Sequence, residues 1–220
     1  MSSTHDRQRT VVTENSGRPR LFLASSSPRR ADLLSALDFV FTVLPAAVCA
    51  VDETALPDEV PADLVARLAQ AKAEQALRWD ELPQQAVILA GDTIVVHSGR
   101  ILGKPRDADD AVRMLTELSG TTHQVLTSLA VANRVTCCVL TVQTSVELMP
   151  LSPELIAAYV STGEPLDKAG AYALQGRAAQ FVRRIEGSWG AVVGLPQYEV
   201  ARLLADFGIT PRWAWEQTSI

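Results

Sequence analysis

The chain has 220 residues, 47% hydrophobic and 20% charged, enough for a globular core of one or two domains. Its net charge of −5 excludes broad nucleic-acid binding but allows a local positive pocket for a small anion. No apolar run approaches the roughly 18 residues of a membrane span, and residues 1–20 lack the apolar core of a signal peptide.

Taken in chain order, polar residues 1–20 are expected to be a disordered tail. Residues 21–25 read as a buried strand. Residues 28–37 read as a helix with Leu33, Leu34 and Leu37 on one face, and residues 39–44 alternate like a strand. An acidic loop over 52–60 leads to a strong helix over 61–79. In it Leu64, Leu68 and Lys72 follow i, i+4, i+8. Lys72 on that stripe is either a snorkelling lysine or one aimed into a cleft. Residues 86–96 form an apolar run broken at Gly91-Asp92-Thr93, and residues 101–102 return after a turn at Gly99. Asp107 caps a helix running to about Leu118, which Ser119-Gly120 ends. Residues 123–132 and 135–148 read as a hairpin turning at Asn133-Arg134. A helix follows Ser152 and closes at Gly163. Residues 170–176 form a small-residue loop, 180–185 a strand, and 196–207 the last helix, capped by Gly208. The fold class expected is α/β, a mixed twisted sheet with flanking helices. A single domain over 21–208 is expected, followed by a C-terminal tail over 209–220.

Three cysteines, Cys49, Cys137 and Cys138, form no disulfide framework and fit a reducing cytoplasm. No His or Cys pair has zinc-ligand spacing, and His123 reads as structural. Neither a Walker A motif nor G-x-G-x-x-G occurs, and Ser25–Ser27 lie in no G-x-S-x-G elbow.

Ser25-Ser26-Ser27-Pro28-Arg29-Arg30 places small polar residues and two cations at a helix N-terminus. It is either an ordinary strand-to-helix turn or a cradle for anionic oxygens, most naturally phosphates. A carboxylate at Asp92 is out of place in a central strand unless the strand opens there onto a site. Other charges also sit at punctuated positions: Glu53, Lys72, Lys104 in Gly103-Lys104-Pro105, and Lys168. Several cations beside one or two carboxylates are the inventory of metal-assisted phosphate chemistry.

These segments, with Ser119-Gly120-Thr121-Thr122-His123-Gln124-Val125, Gly163-Glu164-Pro165-Leu166-Asp167-Lys168-Ala169-Gly170-Ala171-Tyr172 and Val192-Val193-Gly194-Leu195-Pro196, occur in an order that resembles the Maf family of nucleoside triphosphate pyrophosphatases. The resemblance spans about residues 21–208. It implies a fold related to the inosine triphosphate pyrophosphatases, with two lobes around a cleft, and often a homodimer. It implies hydrolysis of a nucleoside triphosphate to monophosphate and pyrophosphate with Mg²⁺ or Mn²⁺; the charge and the lack of a long apolar run point to no nucleic-acid and no membrane partner. Asp92-Thr93 and the run from Asp167 to Gln175-Gly176 resemble the dTTP/UTP branch.

Carried over by resemblance, Asp92 is the proton acceptor, and Glu53 and Asp92 are the acidic pair for the metal. Arg29, Thr93 and Gln175 match positions tied to base choice. Arg30, Lys72 and Lys104 match phosphate-contacting cations, and Ser25 the first serine of the phosphate loop; Lys168, from the inventory of punctuated charges, joins the candidate substrate-binding residues. Whether Asp92 is base, metal ligand or both stays open. Departures occur at Leu148-Met149-Pro150-Leu151 and at Trp189-Gly190-Ala191. Two other readings are hydrolysis of modified or non-pyrimidine nucleotides and a nucleotide-sensing regulator linked to septum formation. A pure sensor has no need of a carboxylate beside the phosphates.

Overall fold

In the computed structural model, which describes residues 19–218, the centre of the fold is one long strand. This is β3 (Ala86–His97), whose N-terminal half is buried on both faces. The other strands are β1 (Arg20–Ala24), β2 (Phe41–Val43), β4 (Arg100–Leu102), β5 (Thr122–Ala132), β6 (Cys137–Leu148) and β7 (Val182–Glu186). They form a seven-stranded sheet of order β2-β1-β3-β5-β6-β7, with β4 also paired to β3. The β2–β1–β3 pairs are parallel and the rest antiparallel, so the expected mixed α/β sheet is what the chain forms.

The helices are α1 (Pro28–Ala36), α2 (Pro61–Leu77), α3 (Ala108–Leu118), α4 (Pro153–Val160), α5 (Trp189–Val193) and α6 (Gln197–Asp206). Proline opens α1, α2 and α4 within the first two positions, where its missing N–H is harmless. One core cluster joins β1, α1 and α6 to Val87, Leu89, Leu129 and Val131. Ala69, Ala73 and Ala76 of α2 pack with Phe22, Ile88 and Ala90 in a second cluster. A third gathers α3, α4 and Phe181 around Val95, Val125 and Val146. The cores thus change along β3, and Gly91-Asp92-Thr93 lies between them.

Three expectations shift. Across 86–96 the strand is unbroken, because β5 pairs with it from Ile88 to Val96. The hairpin turn is longer, since Asn133 Oδ1 accepts from the amides of Val135 and Thr136 and β6 starts at Cys137. Short α5 went unforeseen. At the ends, residues 1–18 of the expected N-terminal tail lie outside the described residues, as do 219–220. Arg20 already belongs to β1, and beyond α6 Ile209 is buried. Arg212 then donates to Asp38 Oδ1 at 2.6 Å at the start of a 3₁₀ turn.

Candidate active site

Two neighbours share one edge of β3. β1 pairs with it up to Ala24 opposite Ala90, and β4 pairs only from Val95 onward. Among the described residues, 91–94 are therefore without a strand on that side, which is why a carboxylate is tolerated in the middle of the sheet. Just beyond β1, the chain turns through Ser25–Ser27 into α1 beside this gap. Ser27 occupies the N-cap position of α1 but its side chain makes no cap bond, whereas Asp107, Ser152 and Ser188 each cap their helices. The first amides of α1 are left without a side-chain acceptor from the cap, at the positive end of the helix dipole.

The gap opens into a cavity of about 530 Å³ lined by Asp92, Thr93, Arg29, Arg30, Lys72, Lys104, Lys168, Glu53 and Gln175, among others. An adjoining chamber of about 280 Å³ shares Arg30, Glu53 and Lys72 and adds Ser25 and Cys49. Every residue singled out from the sequence thus comes to one place. Five cations face three carboxylates there, a local positive excess in an acidic chain.

The cations fall into two groups. Arg30 is engaged at each of its three nitrogens: Nε donates to Gly194 O at 2.8 Å, Nη1 to Ser25 Oγ at 3.1 Å and Nη2 to Thr93 Oγ1 at 3.1 Å. Gly91 makes room for it, since a Cβ there would stand 3.4 Å from Arg30 Nε and 3.0 Å from Ser128 O. Burial pulls the Arg30 guanidinium below its ordinary range, and the nearby charge of Asp92 opposes that pull. Lys72 reaches from α2 and donates to both Glu53 Oε1 and Asp92 Oδ1 at 2.7 Å. Lys72 therefore lines the cleft. The Lys72 hydrogen bond holds Glu53 below the usual glutamate range, outweighing its burial. Lys168 pairs with Asp167. Arg29 and Lys104, by contrast, make no hydrogen bond or ion pair among the described residues and both line the cavity. They are the cavity's cations with no donor committed among the described residues.

Thr93 is part of a chain that the sequence did not disclose. Buried Thr127 donates to Ala191 O at 2.7 Å, so the 3.0 Å contact between the two threonines runs from Thr93 to Thr127. The Thr93 oxygen in turn accepts from Arg30. The hydroxyl hydrogen of Thr93 is committed, and Arg30 is fixed by it. Ser25 Oγ accepts from Ser27 N at 3.2 Å as well as from Arg30, which leaves its own hydrogen to offer. Gln175 is exposed at the cavity with no side-chain hydrogen bond among the described residues. Tyr172 also lines the cavity, and its hydroxyl meets Nε2 of buried His123 at 2.8 Å.

A family model for Maf-like proteins matches residues 20–207 of this chain. A relative in Hahella chejuensis called dTTP/UTP pyrophosphatase is 47% identical over 195 residues, covering 89% of this chain and 96% of the relative. One of the same name in Pseudoalteromonas atlantica is 46% identical, covering 84% and 95%. Another in Anaeromyxobacter dehalogenans is 47% identical, covering 89% and 97%. Among solved structures, the Ham1 protein of Staphylococcus aureus aligns over 86% of this chain and 97% of its own, at 16% identity and a TM-score of 0.45.

Proposed function

The chain belongs to the Maf family, and on that premise we propose that it hydrolyses dTTP and UTP to the nucleoside monophosphate and pyrophosphate, the activity its relatives are named for. The observation that carries this reading is Asp92. It is a carboxylate at the open edge of a central strand, tied through Lys72 to Glu53, at a cavity whose other charges are mostly cations.

Arg29, Lys104, the Ser25 hydroxyl and the uncapped amides of α1 bind the triphosphate oxygens. Lys72 holds Asp92 and Glu53 in place. Asp92 orients a water toward the α-phosphorus and takes its proton as the new P–O bond forms. The bond from that phosphorus to its bridging oxygen breaks, and pyrophosphate leaves with the electron pair. Arg30, engaged on three sides, shapes the phosphate loop.

A divalent metal fits this donor set in one way. Glu53 and Asp92 converge on a single cationic position, now held by Lys72 Nζ. Among the described residues no group of three or more His, Cys, Asp or Glu side chains could hold a metal. Two carboxylates suit Mg²⁺ or Mn²⁺ arriving with the triphosphate and keeping several waters. Bound on the carboxylate oxygens that Lys72 leaves free, the ion would neutralise charge on the phosphate oxygens.

No helix among the described residues is long and apolar enough to cross a membrane. Cys49, Cys137 and Cys138 are free thiols, which supports a reducing, cytoplasmic setting. The homodimer implied by the resemblance belongs to the same proposal, and sedimentation tests it. The decisive assay is product identity: with dTTP or UTP and Mg²⁺ or Mn²⁺, pyrophosphate is released. Orthophosphate as the first product would make this a phosphatase instead.

A further inference from the structure

We propose that Tyr159 and Glu164 staple the loop bearing Gln175, and so act as positioning residues for base choice. This rests on Gln175 being the residue that contacts the base. Gln175 is exposed, lies in no strand or helix, and has no hydrogen bond of its own side chain among the described residues. Such a side chain discriminates between bases only if the backbone beneath it is held still, because selection comes from leaving the wrong base's polar groups unpaired.

The backbone is held on both sides. Ala173, two positions before Gln175, donates its amide to Tyr159 Oη at 3.2 Å. Arg177, two positions after, donates its amide to Glu164 Oε1 at 2.9 Å. The two anchors are joined, since Tyr159 Oη donates to Glu164 Oε1 at 2.9 Å. The directions are forced. An amide can only donate, so the phenol oxygen accepts from Ala173 and spends its single hydrogen on the carboxylate. Burial and the Glu164 carboxylate push the Tyr159 hydroxyl above the ordinary tyrosine range, which keeps that hydrogen in place. Burial pushes Glu164 upward, but the hydrogen bonds from Arg177 and Tyr159 and further backbone donation from Ala178 together bring it below its ordinary value.

Packing supports the staple independently. A Cβ on Gly176 would stand 2.3 Å from Glu164 Oε1, so the carboxylate rests directly against the bare Cα beside Gln175. The Tyr159 ring is fixed edge-on against Phe181, with centroids 5.2 Å apart. Neither Tyr159 nor Glu164 lines the cavity, so any effect they have on substrate passes through the loop.

The test is kcat/KM for dTTP, UTP, CTP and GTP with Tyr159→Phe, Glu164→Gln, Gly176→Ala and Gln175→Ala, each checked for folding by thermal melting. Tyr159→Phe removes only the hydroxyl. It is expected to narrow the dTTP-to-GTP ratio by about three- to tenfold, with KM for dTTP rising more than kcat falls. Gly176→Ala narrows it in the same direction by displacing the carboxylate, and it decides the matter if Tyr159→Phe does not fold. Glu164→Gln keeps one acceptor for Arg177 and has the smaller effect. A narrowed ratio in Gln175→Ala beside an unchanged ratio in folded Tyr159→Phe and Gly176→Ala overturns the staple while leaving Gln175 as the base contact. An unchanged ratio in Gln175→Ala overturns both. A uniform fall across all four nucleotides in the staple variants also overturns the proposal, because it marks a residue that supports the fold and not base choice.

Discussion

Asp92 and Asp110 are both aspartates withdrawn from solvent, and their surroundings are opposite. The Asp110 side chain is 4% exposed and its oxygens are crowded with donors: Arg113 Nε at 2.9 Å and Nη2 at 2.7 Å, Arg106 N at 3.2 Å and Arg106 Nε at 3.3 Å. These donors, the Arg113 side chain first, hold its carboxyl down at about 2. Asp92 is 14% exposed and takes one bond, from Lys72, on Oδ1; Oδ2 has no hydrogen bond among the described residues. Both are acids mostly hidden from solvent. What separates them is whether lone pairs are left over, and what they face. A saturated carboxylate ties a loop to a helix. An unsaturated one beside a cavity is available to a water or a metal.

The contrast breaks most sharply under an isosteric swap. Asp92→Asn is expected to lower kcat on dTTP by at least about 10²-fold while Tm moves by less than about 3 °C. Near-normal turnover in the folded variant would put Asp92 with Asp110 among structural acids. Next comes acid titration of a buried group that serves stability rather than turnover. Burial, with a smaller push from His97, lowers His123 to about 4, so it stays neutral in the fold while the unfolded chain protonates near 6.5. Its contribution is complete above pH 6.5 and is lost as pH falls toward 4, by roughly 3 kcal/mol. Urea unfolding at pH 7 and pH 4.5 reads this loss, and His123→Gln should flatten it. Asp110→Asn then gives the mirror image of the first variant: Tm falls by roughly 5 °C while kcat/KM for dTTP is kept. Smallest is the effect of the disengaged cations. Arg29→Ala or Lys104→Ala should raise KM for dTTP by about tenfold, with a weaker effect on inhibition by dTMP. Equal losses for both ligands would move these side chains away from the outer phosphates.

Much of this was legible in the chain and some was not, for physical reasons. The start of α2 could be read because proline opens it, and its path because an apolar stripe follows. The gathering of Asp92, Lys104 and Lys168 at one cavity could be read because charges at turns and strand ends have few other uses, whereas Gln175 was marked only by the resemblance. The apparent break at Gly91-Asp92-Thr93 is a gap in pairing on one edge, and hydropathy cannot tell that from a break in the strand itself. Five-residue α5 is too short for any period to show; its one signal is Ser188, whose hydroxyl accepts from Ala191 N. The division of the cations into engaged and disengaged was hidden because it is made by distant partners. Gly194, which holds Arg30, lies 164 positions away. Thr127, fully buried in a β-rich run, looked like any strand threonine.

The pairing of β3 with β4 has one more consequence. Val95 faces Leu102 and Val96 faces Ile101, so a β4 running two residues further would set Lys104 opposite Thr93, and a third residue would set Pro105 opposite Asp92. A strand arriving there would close the open edge beside Asp92 with a ladder of hydrogen bonds. Pro105 has no N–H to extend that ladder, and the chain turns away before reaching it. Gly103-Lys104-Pro105 is therefore punctuation as much as chemistry: it ends a hairpin three residues short of burying the site, and leaves a lysine standing at the point where the strand stops.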